Sequence, residues 1–368
     1  MHQLIILGNG FDLACGLKSK FSHFFGNRTN GTFSYESIPE DERNIWDFIL
    51  AEVGEGDPLW CDIESLISAY VFRDGKASSK IDSMYHPRAR AFNPWGPNKP
   101  FHPESELYKF AVQLIGKNDI SQRELTSYLL SELKHYEHSF GCYLNEQVMQ
   151  SATYANDAKR YFAAIRDSCL TDSEQPLTTS SILNFNYTVP FGADNYRLGI
   201  EAVRNVHGVL GATETIFGID GKDVPEDDPA LPFTKTYRLL SLENHRKAQI
   251  IKLGDNGTNL IKVFGHSLAK ADYSYFQSIF DSVNLYGGNT TLVFLYKVFS
   301  NKLNESIDEQ DIRENLYSRI SHLLIEYGAT LDNKDHGKNH MHKLLLEQRL
   351  IIERIDNPSE MPSSIYLH

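Results

Sequence analysis

Hydrophobic residues along the chain fall into two alternating patterns. The first is a short apolar run closed by glycine or polar residues: 4–7 before Gly8-Asn9-Gly10, 180–188 ending in Asn184-Phe185-Asn186-Tyr187-Thr188, 202–208 ending in His207-Gly208, 215–220, 260–268 closing on Gly265-His266-Ser267, and 291–296. Aliphatic runs of this length read as strands buried on both faces, as in a parallel sheet. The second pattern spaces apolar residues three and four apart over 120–154 and over shorter stretches at 11–17, 21–25, 40–52, 60–67, 157–170, 237–253, 272–281 and 307–327. These predict helices, and the stripe over 120–154 is the core face of one long helix rather than a cofactor box. Strands alternating with helices predict right-handed crossovers and a mainly parallel sheet flanked by helices, an α/β fold.

The alternation is interrupted after the first strand and helix. Residues 36–175 read as a large, mainly helical insertion, 1–35 with 176–330 as the α/β core, and 331–368 as a helical extension. Within the insertion, residues 73–104 carry Pro87, Pro94, Pro97, Pro100 and Pro103 with Arg88, Arg90 and Lys99, a long, locally basic loop. A solvated excursion is the simpler expectation for it, and a cover over a phosphate-bearing ligand the sharper one.

Composition narrows the function classes. A net charge of −12 argues against a protein that coats phosphate backbones, so a nucleic-acid partner is disfavoured. Cys15, Cys61, Cys142 and Cys169 are scattered without CxxC spacing, which predicts reduced thiols and neither a zinc knuckle nor a disulfide framework. The N-terminal apolar run is short, lacks a basic flank and is interrupted by Asp12, so a signal peptide is not expected, nor is a membrane span. A cytoplasmic protein without a metal is the expectation. His340 and His342 are two residues apart and point in different directions on a helix, so with His336 they read as structural or surface residues.

The candidate chemistry lies at the strand ends. Gly8-Asn9-Gly10 permits a sharp turn from strand to helix and puts Asp12 in the first helical turn, a layout that aims backbone N–H groups at an anion such as a pyrophosphate. The third glycine of the dinucleotide fingerprint is absent: position 13 is Leu13 and the next glycine is Gly16. Each strand end also has a plain structural reading. Asn184 and Asn186 can satisfy backbone groups in a turn, His207 can be a bonded edge histidine, and Ser267 can cap a helix. A parallel sheet, however, gathers all four ends along one edge, where ligands bind. Asp12, Asp62 and Glu64 offer a different reading, a magnesium-dependent nuclease or phosphoryl hydrolase.

Gly8-Asn9-Gly10-Phe11-Asp12-Leu13-Ala14 with Gly16-Leu17, Trp60-x-Asp62-x-Glu64, Asn184-Phe185-Asn186-Tyr187-Thr188, Val206-His207-Gly208, and Gly265-His266-Ser267-Leu268 with Asp272 together resemble the AbiH family of bacteriophage abortive-infection proteins. More distantly, their order resembles the sirtuin-like NAD-binding domains. That resemblance implies a Rossmann-like (sirtuin-like) core and a nucleotide ligand, NAD, as substrate or bound ligand. It implies Gly8, Asn9 and Gly10 as the phosphate turn, Asn186 beside the nicotinamide ribose, His207 as the catalytic base, Gly265 with Ser267 at the adenosine half, and His266 as a further cofactor-binding residue. Asp12, Asn184 and Thr188 complete the implied pocket, with Thr188 where sirtuins commonly carry aspartate. The activity implied is NAD cleavage in infected cells, gated by a phage-derived trigger, a partner protein or self-association. A non-catalytic nucleotide sensor is the alternative.

Overall fold

The computed structural model describes residues 1–53, 63–71, 106–116, 121–171, 173–191, 195, 197–208, 210, 215–222, 224–241, 249–254, 257–298, 309–332 and 337–356. The chain forms two compact units: 1–17, 148–206 and 245–368 in the first, and 18–147 with 207–244 in the second. These boundaries differ from the division read from the sequence. The proline-rich stretch 73–104, and Trp60 and Asp62, lie outside the described residues.

The first unit is a six-stranded sheet in the order β3-β2-β1-β4-β5-β6, with every neighbouring pair parallel. Its strands are β1 (His2–Leu7), β2 (Thr179–Asn184), β3 (Ile200–Asn205), β4 (Thr258–Phe264), β5 (Thr291–Tyr296) and β6 (Leu350–Arg354). The aliphatic run in β1 serves both faces because side chains alternate across a strand. Leu4 and Ile6 pack with α9 (Tyr273–Ser282), α10 (Glu309–Gly328) and α11 (His340–Leu346), while Ile5 and Leu7 pack with α1 (Gly10–Ala14) and α7 (Tyr154–Asp167). Each such side chain fully withdrawn from water contributes about 1.5–3 kcal/mol, so these two apolar layers dominate the stability of the unit.

The core also holds a buried ammonium. Lys262, in β4, is fully buried, and its Nζ donates to the carbonyls of Ile165 (3.1 Å), Arg166 (2.7 Å) and Ser168 (2.6 Å). Those carbonyls end α7, so the ammonium satisfies orphan acceptors at the negative end of the helix dipole. Burial nonetheless pulls its pKa down to about 8.

Two strands differ from the sequence reading. Residues 215–220 do not join the sheet; they belong to the second unit and make only an isolated bridge, Ile219 with Thr234. β6 lies in the stretch read as a helical extension, pairing Leu350–Arg354 with Leu292–Tyr296 along the edge. The long helix also ends earlier than its apolar stripe. It stops at Gln150, and after Ser151-Ala152-Thr153 the chain restarts as α7 at Tyr154.

The second unit contains α2 (Phe21–Arg28), α3 (Ile45–Val53), α4 (Ile63–Val71), α5 (Glu106–Ile115), most of α6 (Gln122–Gln150) and α8 (Lys235–Ser241). Phe21, Phe24, Tyr136, Phe140 and Phe217 form an aromatic cluster with ring centroids 5.3–5.9 Å apart. Arg28 grips Asp47 with two bonds, Nε to Oδ1 at 2.8 Å and Nη2 to Oδ2 at 2.7 Å. Among the described residues, no helix is long and apolar enough to cross a membrane.

Candidate functional site

The register sets Leu7 beside Asn184 and Phe264, and Asn184 beside Asn205, so the carboxyl ends of β1 to β4 finish level. Two glycine turns cross there. The N–H of Gly8 donates to Phe264 O (3.0 Å) and that of Gly10 to Gly265 O (2.8 Å). A Cβ on Gly8 would lie 2.4 Å from His266 Cα, and one on Gly10 2.6 Å from Gly265 Cα. Glycine is required here by backbone meeting backbone, and these two N–H groups are already engaged within the chain.

Asp12, in the first turn of α1, is 1 % exposed. Tyr154 Oη donates to its Oδ1 at 2.7 Å and Thr188 Oγ1 to its Oδ2 at 2.8 Å, and the two hydroxyls are 3.0 Å apart. Burial pushes the Asp12 pKa up to about 6, against the pull of both hydroxyl donors. The folded state therefore keeps a proton that the unfolded chain releases near pH 4, so this group makes stability fall as pH rises from about 4 to 6. The span corresponds to about 3 kcal/mol at most. His2 and His340 act with the opposite sign over pH 4–6.5, since burial lowers each to about 4. Urea unfolding of wild type and Asp12→Asn across this range isolates the aspartate: the stability difference between them is expected to shift by about 3 kcal/mol in favour of the variant. A pH-independent difference would contradict it.

Beside this cluster, Asn184 Oδ1 accepts from the Asn186 N–H (3.1 Å) and from Asn186 Nδ2 (3.0 Å). Its own Nδ2 donates to Thr188 O and to Asn205 Oδ1, both at 2.8 Å. Asn184 thus does satisfy backbone groups, as the plain reading has it, whereas the Asn186 amide bonds the Asn184 side chain. Past β4, His266 Nδ1 accepts from the Leu268 N–H (2.9 Å), which leaves Nε2 as the protonated nitrogen, 3.3 Å from Asp272 Oδ2. The ring stands edge-on to Phe185 and Phe276. Ser267 is not a helix cap: its Oγ accepts from the Ala269 N–H at 3.3 Å, and the residue before α9 is Asp272.

Gly8, Asn9, Gly10, Asp12, Asn184, Asn186, Thr188, Gly265, His266 and Ser267 all lie in the first unit. His207 lies in the second, 6 % exposed, with Nε2 3.9 Å from Glu64 Oε1. Lys235 Nζ donates to the other oxygen of Glu64 at 2.9 Å. This arrangement, a buried histidine facing a carboxylate held by an ammonium, is suited to moving a proton. Among the described residues no group of three or more His, Cys, Asp or Glu is arranged to hold a metal ion.

Three participants were not singled out from the sequence: Tyr154, Asn205 and Lys235. Asn205 ends a strand, so the strand-end rule that found Asn184 would have found it. Tyr154 falls at the end of the span 120–154 that reads as one long helix. The polar step Ser151-Ala152-Thr153 was the signal that a new helix starts there.

A family model described as bacteriophage abortive infection AbiH matches residues 4–296. No curated protein and no solved structure matches the chain. The matched span runs from β1 to the end of β5 and contains both glycine turns, the Asn184–Thr188 strand end and His207-Gly208. The chain belongs to the AbiH family of bacteriophage abortive-infection proteins.

Proposed function

We propose that this protein is an abortive-infection effector whose first unit binds a nucleotide at the carboxyl edge of its sheet, and that it cleaves the nicotinamide–ribose bond of NAD. The observation that carries the binding half is the strand order β3-β2-β1-β4-β5-β6, which reverses direction between β1 and β4. That is the order of the dinucleotide-binding Rossmann sheet, in which the ligand sits outside the carboxyl ends at the reversal. Gly8-Asn9-Gly10 and Gly265-His266-Ser267 meet at this point, with Asp12, Asn184, Asn186 and Thr188 beside them.

The cleavage half follows from the sirtuin-like resemblance and from the residue types. As the C1′–N bond breaks, its electron pair passes to the ring nitrogen, which becomes neutral nicotinamide. Water adds to C1′ and gives up a proton. Asn186 orients the ribose and the water, and His207 is the proton acceptor that the resemblance assigns. In a defence role the activity has to be held off until infection, by a phage-derived trigger or by self-association.

The test is release of nicotinamide and ADP-ribose from NAD by the purified full chain, alone and with extract of phage-infected cells. Turnover is expected, and Asn186→Ala and His207→Ala are each expected to slow it about 100-fold or more. No turnover under either condition overturns the hydrolase reading, and turnover that survives both substitutions overturns the residue roles. Nucleotide binding without turnover would identify a sensor instead.

A further inference from the structure

One short segment of the second unit ties together the backbones that carry a histidine and a lysine. The N–H of Ile216 donates to His207 O at 3.0 Å, and the N–H of Lys235 donates to Ile219 O at 3.0 Å. Residues 216–219 thus set His207 and the start of α8 in a fixed relation. Gly218 belongs to the same device. A Cβ there would lie 3.0 Å from Lys235 Cγ, Lys235 N and Phe233 O, so glycine leaves room for the lysine stem. Glu137, whose carboxylate also meets this segment at the Phe217 N–H, has its charge matched by Arg238.

Lys235 is 1 % exposed, and a buried ammonium needs a counter-charge. Its Nζ donates to Glu64 Oε2 at 2.9 Å, and the other oxygen, Oε1, lies 3.9 Å from His207 Nε2. That separation is a charge contact and not a hydrogen bond. It still distinguishes the two neutral forms of the ring, because an N–H facing a carboxylate oxygen is favoured over a lone pair facing it. The ring proton therefore belongs on Nε2, and Nδ1 carries the lone pair.

We infer that Glu64 and Lys235 are positioning residues for His207: Lys235 keeps Glu64 ionised, Glu64 holds the ring proton on Nε2, and Nδ1 is the atom that accepts a proton. The inference rests on the role of His207 in the cleavage reading above. There the water adding to C1′ gives its proton to Nδ1, and the imidazolium so formed faces the Glu64 carboxylate through Nε2–H. The ammonium has a second effect. A buried glutamate without it would hold a proton at higher pH and compete with the imidazole for the one released by water.

The tautomer is read directly by ¹⁵N-histidine labelling of the full chain above the pKa of the ring, with His207→Gln identifying the resonances. Wild type is expected to carry the proton on Nε2. Glu64→Gln is the discriminating variant. The buried ammonium retains the amide oxygen, so the amide NH₂ turns to the ring, Nε2 becomes the acceptor, and the ring proton moves to Nδ1. Lys235→Met checks the lysine. The Glu64 carboxylate resonance is expected to stay flat from about pH 5 to 8 in wild type and to titrate inside that window in the variant. Where NAD is cleaved, Glu64→Gln is expected to lower kcat at least about tenfold with KM held within about twofold. A wild-type proton on Nδ1, or a tautomer unchanged in Glu64→Gln, overturns the inference. So does a Glu64 carboxylate that titrates alike with and without Lys235. If NAD is not cleaved, the cleavage reading fails by itself, and the tautomer and carboxylate measurements still decide whether the two residues position the ring.

Discussion

Gly265→Ala is expected to cost at least about 4 kcal/mol or to abolish folding, whereas Gly16→Ala costs about 1 kcal/mol. The two positions share a left-handed backbone, φ +71° at Gly265 and φ +80° at Gly16. That conformation alone penalises alanine by about 1–2 kcal/mol. What separates them is space. An added Cβ at Gly16 meets nothing within 4 Å, while one at Gly265 lies 2.4 Å from Phe11 N and 2.7 Å from Gly10 C. These are backbone atoms that cannot rotate away. The turns are tied by the bond from the Gly10 N–H to Gly265 O, and the strands behind them by the β1–β4 pairing. Relief would mean parting β1 from β4 at the centre of the sheet. Soluble yield and urea unfolding of both variants decide it. A Gly265→Ala protein within 1 kcal/mol of Gly16→Ala would show that the strand ends separate freely, and that glycine here keeps space for a ligand rather than for the chain.

The same crossing shows how far the sequence could be read. Strand, glycine turn and helix were legible from Leu4 to Asp12 because four aliphatic residues followed by Gly-Asn-Gly admit few other local structures. The partner of that turn was not. Gly265 is some 255 residues away, and only the fold reveals that the glycines approach each other. Strand ends were legible as places where apolar runs break into Asn, Thr or His, which found Asn184, Asn186 and Thr188. Tyr154 escaped because a tyrosine at the end of a helical span gives no sign of its role until its hydroxyl is seen against Asp12. Residues 215–220 misled for a related reason. The run is as apolar as a strand and as buried as one, but the Phe217 N–H goes to the carboxylate of Glu137 instead of to a neighbouring strand. β6 was missed because it is a half-exposed edge strand with an apolar core of only Leu350-Ile351-Ile352, flanked by charge.

Glu137→Ala is expected to destabilise the second unit by about 3–5 kcal/mol, because it strands two groups at once. Glu137 and Arg238 are 1 % and 3 % exposed, and the guanidinium grips the carboxylate in parallel, Nη1 to Oε1 at 3.0 Å and Nη2 to Oε2 at 2.6 Å. Oε1 also accepts the Phe217 N–H at 2.7 Å. Removing the carboxylate leaves a buried cation without this counter-charge and a buried N–H short of its acceptor. The pair itself is a weak source of net stability, since desolvating two charges offsets most of their attraction. A double-mutant cycle separates these contributions. Glu137→Leu with Arg238→Leu removes both charges and should recover most of the loss, leaving about 1–3 kcal/mol for the unsatisfied Phe217 N–H. A double variant as unstable as the sum of the singles would mean that the two side chains are not coupled. The local consequence reaches the candidate base. Ile216, one residue before the anchored Phe217, donates its N–H to His207 O at 3.0 Å. Loosening residues 215–219 therefore loosens the backbone that carries the imidazole toward Glu64. The ion pair contributes less by its own energy than by holding one backbone segment in place, and the Glu137→Ala loss should appear first in hydrogen exchange at Ile216 and Phe217.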